Sequence, residues 1–115
     1  MSCLGLKTIT KGHNGIATVE NYGKAVVGDH GTATAGNFGT AIAGNEGSAI
    51  AGDYGTATAG IDGIATAGVA GTLRIKYWDH KTKKVRWARG HIGENGLLPN
   101  IAYKTDDAGK FYRVH

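Results

Sequence analysis

Between Gly15 and Ala70 the chain alternates small apolar and polar positions with a period of two, and glycines interrupt the alternation at regular intervals. The unit is clearest as Gly31 to Phe38 (GTATAGNF). It returns at Gly39 to Glu46, Gly47 to Tyr54, Gly55 to Asp62 and Gly63 to Ala70, with weaker copies at Gly15 to Tyr22 and Gly23 to His30. Counting the first glycine as position one, positions two to five make a short strand with opposite faces. Positions three and five are Ala in nearly every copy, as in Ala33 and Ala35, Ala41 and Ala43, Ala49 and Ala51. Positions two and four hold Thr, Ile, Ser, Val and one Lys, Lys24. A face that carries Lys sees water, so the Ala face points inward, into a core too narrow for larger side chains. Positions six to one (Gly-Asn/Asp-x-Gly) read as a turn. Glycine is expected to supply positive φ there, and Asn or Asp to bond its own local backbone.

Position eight sets the size of a coil. Tyr22, Phe38 and Tyr54 recur every 16 residues, and Asn14, His30, Glu46 and Asp62 do so in the copies between. One coil is therefore two units, with two strands and two turns. A three-unit coil would space like residues by 24 and leave the alternation unexplained. The fold class is all-β: a two-sided β-solenoid, or β-roll, of about four coils stacked in register from near Lys7 to Trp78. An aromatic ladder is expected along one edge and a polar ladder along the other. Thr8-Ile9-Thr10 reads as a frayed first unit.

The pattern changes after Gly71-Thr72. Leu73, Ile75 and Tyr77 alternate with Arg74, Lys76 and Trp78 as a longer strand. Asp79 to Lys83 is a polar turn, and Lys84 to Ile92 returns as a second strand containing Val85 and Trp87. Asn95-Gly96 and Pro99-Asn100 mark loops. Ala102 to Lys104 and Lys110 to Val114 read as a hairpin across Asp106 to Gly109. Residues 1–71 are thus assigned to the solenoid and residues 72–115 to a β-rich C-terminal cap, in one continuous folding unit. Leu73, Ile75, Trp78, Trp87, Leu97, Leu98 and Phe111 are expected to form the cap's core. Charge divides at the same place. Residues 1–71 hold three Lys and five acids, whereas residues 72–115 hold ten Lys and Arg and four acids.

The copies between Gly31 and Gly68, followed by Tyr77-Trp78-Asp79, Gly93-Glu94-Asn95-Gly96, Pro99-Asn100 and Tyr103 to Phe111, resemble a group of small bacterial and phage proteins. That group is built from GTATAG-type octapeptides with a basic, aromatic C-terminal segment. The resemblance covers most of the chain and concerns architecture rather than activity. It implies a phage or bacterial accessory protein that engages a host protein complex, such as a counter-defence inhibitor. Val19, Glu20, Val26 and Val27 depart from the pattern.

Candidate chemistry is sparse. Position seven is mostly Asn, with Asp only at Asp29 and Asp53, so the turns are poor calcium sites. His13, His30, His80, His91 and His115 lack zinc spacing, and the single Cys3 forms neither a thiolate cluster nor an internal disulfide. Gly90 to Gly96 lacks the Lys-Ser/Thr of a phosphate loop. No cofactor, metal or catalytic residue is expected, and the chain is read as a non-enzyme. With no signal peptide or membrane span, a cytoplasmic location is expected. The candidate partner-binding residues are Arg74, Lys76, Trp78, Lys81, Lys83, Lys84, Arg86, Trp87 and Arg89. Basic and aromatic side chains so interleaved suit an acidic protein surface, or a nucleic acid through phosphate contacts and base stacking. The Thr/Ile faces of the roll suggest two further roles, a homodimer interface or ice binding, although Lys24 and the Ile positions break the regularity of the Thr arrays.

Overall fold

The computed structural model of the chain describes residues 8–94, 96–106 and 109–114. Cys3, Lys7, Asn95 and His115, named above, lie outside the described residues, as do the two central residues of the Asp106 to Gly109 turn. Among those described, the chain is strand and turn with no helix. Eight short strands build the roll: β1 (Thr8–Thr10), β2 (Ile16–Thr18), β3 (Lys24–Val26), β4 (Thr32–Thr34), β5 (Thr40–Ile42), β6 (Ser48–Ile50), β7 (Thr56–Ala59) and β8 (Ile64–Thr66). Odd strands stack in one sheet and even strands in the other, all parallel and offset by 16 residues, as in Ala25↔Ala41 and Ala33↔Ala49. The two-unit coil is therefore the structural period.

The core is the alanine face. Ala33, Ala41, Ala49, Ala57 and Ala65 have no exposed surface, and the position-five residues Ala35, Ala43, Ala51, Ala59 and Ala67 are nearly as buried. Position eight behaves as its spacing requires. Tyr22, Phe38 and Tyr54 stack at 5.2 and 5.1 Å with nearly parallel rings. On the other edge His30 meets Glu46 at 3.7 Å, and His13 touches His30 edge-on.

Two expectations about the turn are corrected. The positive φ belongs to position eight, not to glycine: Asn14, Tyr22, His30, Phe38, Glu46, Tyr54, Asp62 and Ala70 all lie between 57° and 64°. Position one donates to the carbonyl of position six, as in Gly39 N to Gly36 O at 3.1 Å. With positive φ at the second central residue, this is a type II turn. From Gly15 to Gly71 the repeat glycines are needed for space. A Cβ on Gly36 would lie 2.5 Å from Asn21 Oδ1 and 2.8 Å from Asn21 N, and one on Gly39 would lie 2.8 Å from Ala35 Cβ. The second correction concerns position seven, which bonds across coils rather than locally. Asn21 Oδ1 accepts from Asn37 N at 2.9 Å, and Asn37 Oδ1 from Asp53 N at 3.0 Å. On the other edge Asp29 accepts from Asn45 N, and Asn45 from Ile61 N. These ladders end at Ile61 and Val69, where the side chain no longer carries an acceptor.

The C-terminal part closes the roll. β9 (Thr72–Asp79) continues the odd sheet in parallel with β7, and β10 (Lys84–His91) folds back antiparallel on β9. β11 (Tyr103–Thr105) pairs antiparallel with β8 through Tyr103↔Ala65, and β12 (Phe111–Arg113) pairs with β11. Leu73 and Ile75 are fully buried where alanines stood before, and Ile92, Leu97 and Tyr103 join them. Leu97 and Phe111 pack on Gly90, where a Cβ would meet both. The Tyr103 hydroxyl accepts from Leu98 N at 2.8 Å. Trp78, Trp87 and Leu98 are not core residues. They stay 39%, 42% and 44% exposed. For the tryptophans the register is the reason: it pairs Trp78 with Val85 and Lys76 with Trp87 on the outer face of the hairpin.

Candidate partner-binding face

The β9–β10 register divides the nine candidate residues between two faces and a tip. Arg74, Lys76 and Trp78 on β9 stand opposite Arg89, Trp87 and Val85 on β10, all on the outer face. This face continues the outer surface of the odd sheet, because Thr56 and Thr58 are in register with Thr72 and Arg74. Five of the nine candidates therefore share one surface. Lys81 and Lys83 sit in the exposed turn, and Lys84 and Arg86 alternate onto the opposite face.

Arg86 is engaged in holding the turn together. Its Nε lies 2.9 Å from Asp79 Oδ2 and 3.4 Å from Thr82 Oγ1. Asp79 Oδ1 also accepts from Lys81 N at 2.9 Å. Desolvation acts to raise the Asp79 pKa. The Lys81 N–H, the Thr82 hydroxyl and N–H, and the Arg86 charge outweigh it and hold the carboxyl below its ordinary value of 3.8. Lys83 takes φ of 54° in the same turn. Arg86 thus holds the hairpin turn and lies on the opposite face from the basic candidates of β9 and from Arg89.

Trp87 is the centre of the outer face. Arg74 Cζ lies 4.9 Å from its ring centroid and Lys76 Nζ 5.0 Å. Cations over an indole face are attracted by its quadrupole, yet two of them on one ring also repel each other. Arg74 Nε is buried and has no hydrogen-bond partner among the described residues. The hairpin also walls a groove of 320 Å³, which runs over Ile42, Thr58, Gly44 and Gly60 and ends at Lys76 and Trp87, with Asp29 and Asn45 at its edge. The groove was not anticipated. Ile42, Thr58 and Arg74 are 16 apart in sequence, so the repeat contains their row, but a wall supplied by a returning strand has no such signature. Among the described residues no three His, Cys, Asp or Glu side chains converge as a metal set.

The registers also place the Thr/Ile positions. Ile16, Thr32, Ser48 and Ile64 form one row of the even sheet, and Thr18, Thr34, Ile50 and Thr66 the next. These rows are uncharged but chemically mixed.

Residues 16–67 match a family model described as a domain of unknown function (DUF4774). The match runs from β2 through β8 and stops short of the hairpin, so it bears on the roll and not on the basic aromatic face. No curated protein and no solved structure matches the chain.

Proposed function

We propose that the chain is a non-catalytic binding protein that uses the outer face of the β9–β10 hairpin to engage an acidic surface of a protein partner. The supporting observation is Trp87, 42% exposed and flanked by Arg74 and Lys76 on a surface that also presents Trp78 and Arg89. Leaving indole surface in water forgoes hydrophobic stabilisation of about 25 cal/mol per Å². Tryptophan and arginine are the side chains most enriched where interfaces concentrate their energy. The resemblance to phage accessory proteins adds that the partner is a host complex. Nucleic acid is the competing reading, favoured by the same pairing of exposed indoles with cations.

The test compares the wild-type chain with a Trp78→Ser, Arg89→Ser variant in capture from host lysate, followed by salt titration of the purified complex. The expected result is one protein partner, lost about 30-fold or more in affinity by the variant, with a shallow salt dependence. A nuclease-sensitive complex with a steep log–log salt slope is the signature of phosphate contacts and favours the competing reading. Undiminished binding by the double variant overturns the hairpin face as the binding element.

A further inference from the structure

The groove beside Trp87 has a definite chemistry, and the proposal here rests on the reading of the hairpin as the binding element. Its floor comes from the odd sheet at the junction of strand and turn. Ile42 and Thr58 supply side chains, and Gly44 and Gly60 supply bare backbone. Neither glycine carries positive φ, so the low floor follows from the packing of coils. A Cβ on Gly44 would lie 2.8 Å from Asp29 N, inside the neighbouring turn. The bare strip is thus a by-product of coil stacking that only the hairpin turns into a groove.

At the hairpin end the balance of charge is incomplete. Arg74 and Lys76 both approach one indole ring, and Arg89 lies opposite Arg74 on the same face. The nearby acid of the hairpin, Asp79, is paired with Arg86 on the opposite face. Arg74 Nε, a donor on a permanently charged group, is buried without an acceptor. A buried unmet donor costs about 1–3 kcal/mol, more where the group is charged. An anion arriving here would meet Lys76, which lines the groove, and the positive field of Arg74 on the same indole. The groove's other end carries Asp29, whose Oδ1 accepts from Asn45 N.

We infer that this groove is a docking site for a short extended segment of the partner protein, with one Asp or Glu carboxylate at Lys76, in the field of Arg74 across the Trp87 ring, and the adjoining apolar side chain on Ile42. Charge selects this occupant. A nucleic acid carries a phosphate at every nucleotide and would run one of them past Asp29, whereas a peptide with a single acid avoids it. Ile42 on the floor gains from an aliphatic side chain and gains nothing from a sugar–phosphate backbone. The volume of 320 Å³ suits two or three side chains rather than a folded element. Carboxylate binding by the Lys76 ammonium supplies a charge-assisted hydrogen bond in a partly desolvated place.

The experiment is a titration followed by amide and indole NMR shifts, using the full chain and three probes: the capped tripeptide acetyl-Glu-Val-Val-amide, its Gln analogue, and a four-residue oligothymidylate. The expected result is that the Glu peptide shifts the Trp87 indole together with the Gly44 and Gly60 amides. The Gln analogue should bind at least about tenfold more weakly, the worth of a charged hydrogen bond. Lys76→Met should weaken the Glu peptide by a similar factor, and Ile42→Phe, on the outer face, should block the floor while leaving the core alanines untouched. Equal binding of the Glu and Gln peptides overturns the proposal, as does stronger binding of the oligothymidylate to the same signals. Absence of any peptide shift at Gly44 and Gly60 also overturns it. If a partner protein then still shifts Trp78 and Arg89, the hairpin reading survives and the groove assignment alone has failed.

Discussion

Eight position-eight residues, none of them glycine, hold the left-handed backbone that a type II turn usually reserves for it, while the repeat glycines from Gly15 to Gly71 sit at ordinary φ with no room for a Cβ. This inverts the usual expectation for glycine substitutions. Left-handed backbone costs an L-residue about 1–2 kcal/mol, part of which is offset by glycine's greater freedom in the unfolded chain. Ala70 is exposed at φ 59°. Ala70→Gly is therefore expected to stabilise the chain by about 0.5 kcal/mol. Gly36→Ala is expected to cost about 3 kcal/mol, because the added methyl meets the next turn's backbone. Chemical denaturation of both variants checks the pair, and an Ala70→Gly midpoint below wild type counts against turn strain. The core obeys the same geometry. Ala41→Leu should cost roughly 3 kcal/mol by overpacking, while Thr40→Val on the outer face should change stability by less than about 0.5 kcal/mol.

At the scale of elements, two side-chain devices do work that strand hydrogen bonds do not. The position-seven ladder ties each turn to its neighbour, as Asn37 Oδ1 does for Asp53 N. Asn37→Ala removes that acceptor and should cost about 1 kcal/mol. Val69→Ala, at the end of the same ladder, should cost less, and thermal melts of the two distinguish a ladder from ordinary turn preference. The hairpin turn depends on Asp79, whose carboxyl is held below its ordinary value of 3.8. A carboxyl with a depressed folded-state pKa stabilises above the unfolded value and loses that contribution as pH falls through the folded one. The turn should therefore be fully supported above about pH 5 and weaken progressively as pH drops below about 4. Following the Lys81 amide shift through acid titration reads this directly. In Asp79→Asn the acid transition at that amide should disappear.

For the whole molecule, the roll gains its stability from contacts between neighbouring coils, so its ends decide whether it holds. At the C-terminal end the alanine core gives way to Leu73 and Ile75, both without exposed surface, covered by Ile92, Leu97 and Phe111. Leu73→Ala should cost about 3 kcal/mol. Hydrogen exchange should then show β8 and β9 opening before β4 and β5. Uniform loss of protection along the roll would mean that the molecule unfolds as one unit instead of from its end. The same closure creates the candidate binding face, since β10 brings Trp87 and Arg89 beside Arg74 and Lys76.

The sequence by itself determined the roll: the alternation of alanine with Thr and Ile set the faces, and the recurrence of Tyr22, Phe38 and Tyr54 every 16 residues set the coil. Stacking identical units leaves one register that keeps every alanine inside, so periodicity in the chain becomes periodicity in space. The roles within the turn were not legible, because the need for glycine at Gly36 and the acceptor role of Asn21 arise between coils, not along the chain. The cap was legible as strands and not as surfaces. Alternation put Trp87 on one face of its strand, but only the pairing of Trp87 with Lys76 decided that this face looks outward. The same pairing moved Arg86 away from Arg74 and raised a wall over Ile42 and Thr58. A returning strand chooses its partner through tertiary packing, and the one repeat-free part of the chain offered no second copy from which to read that choice.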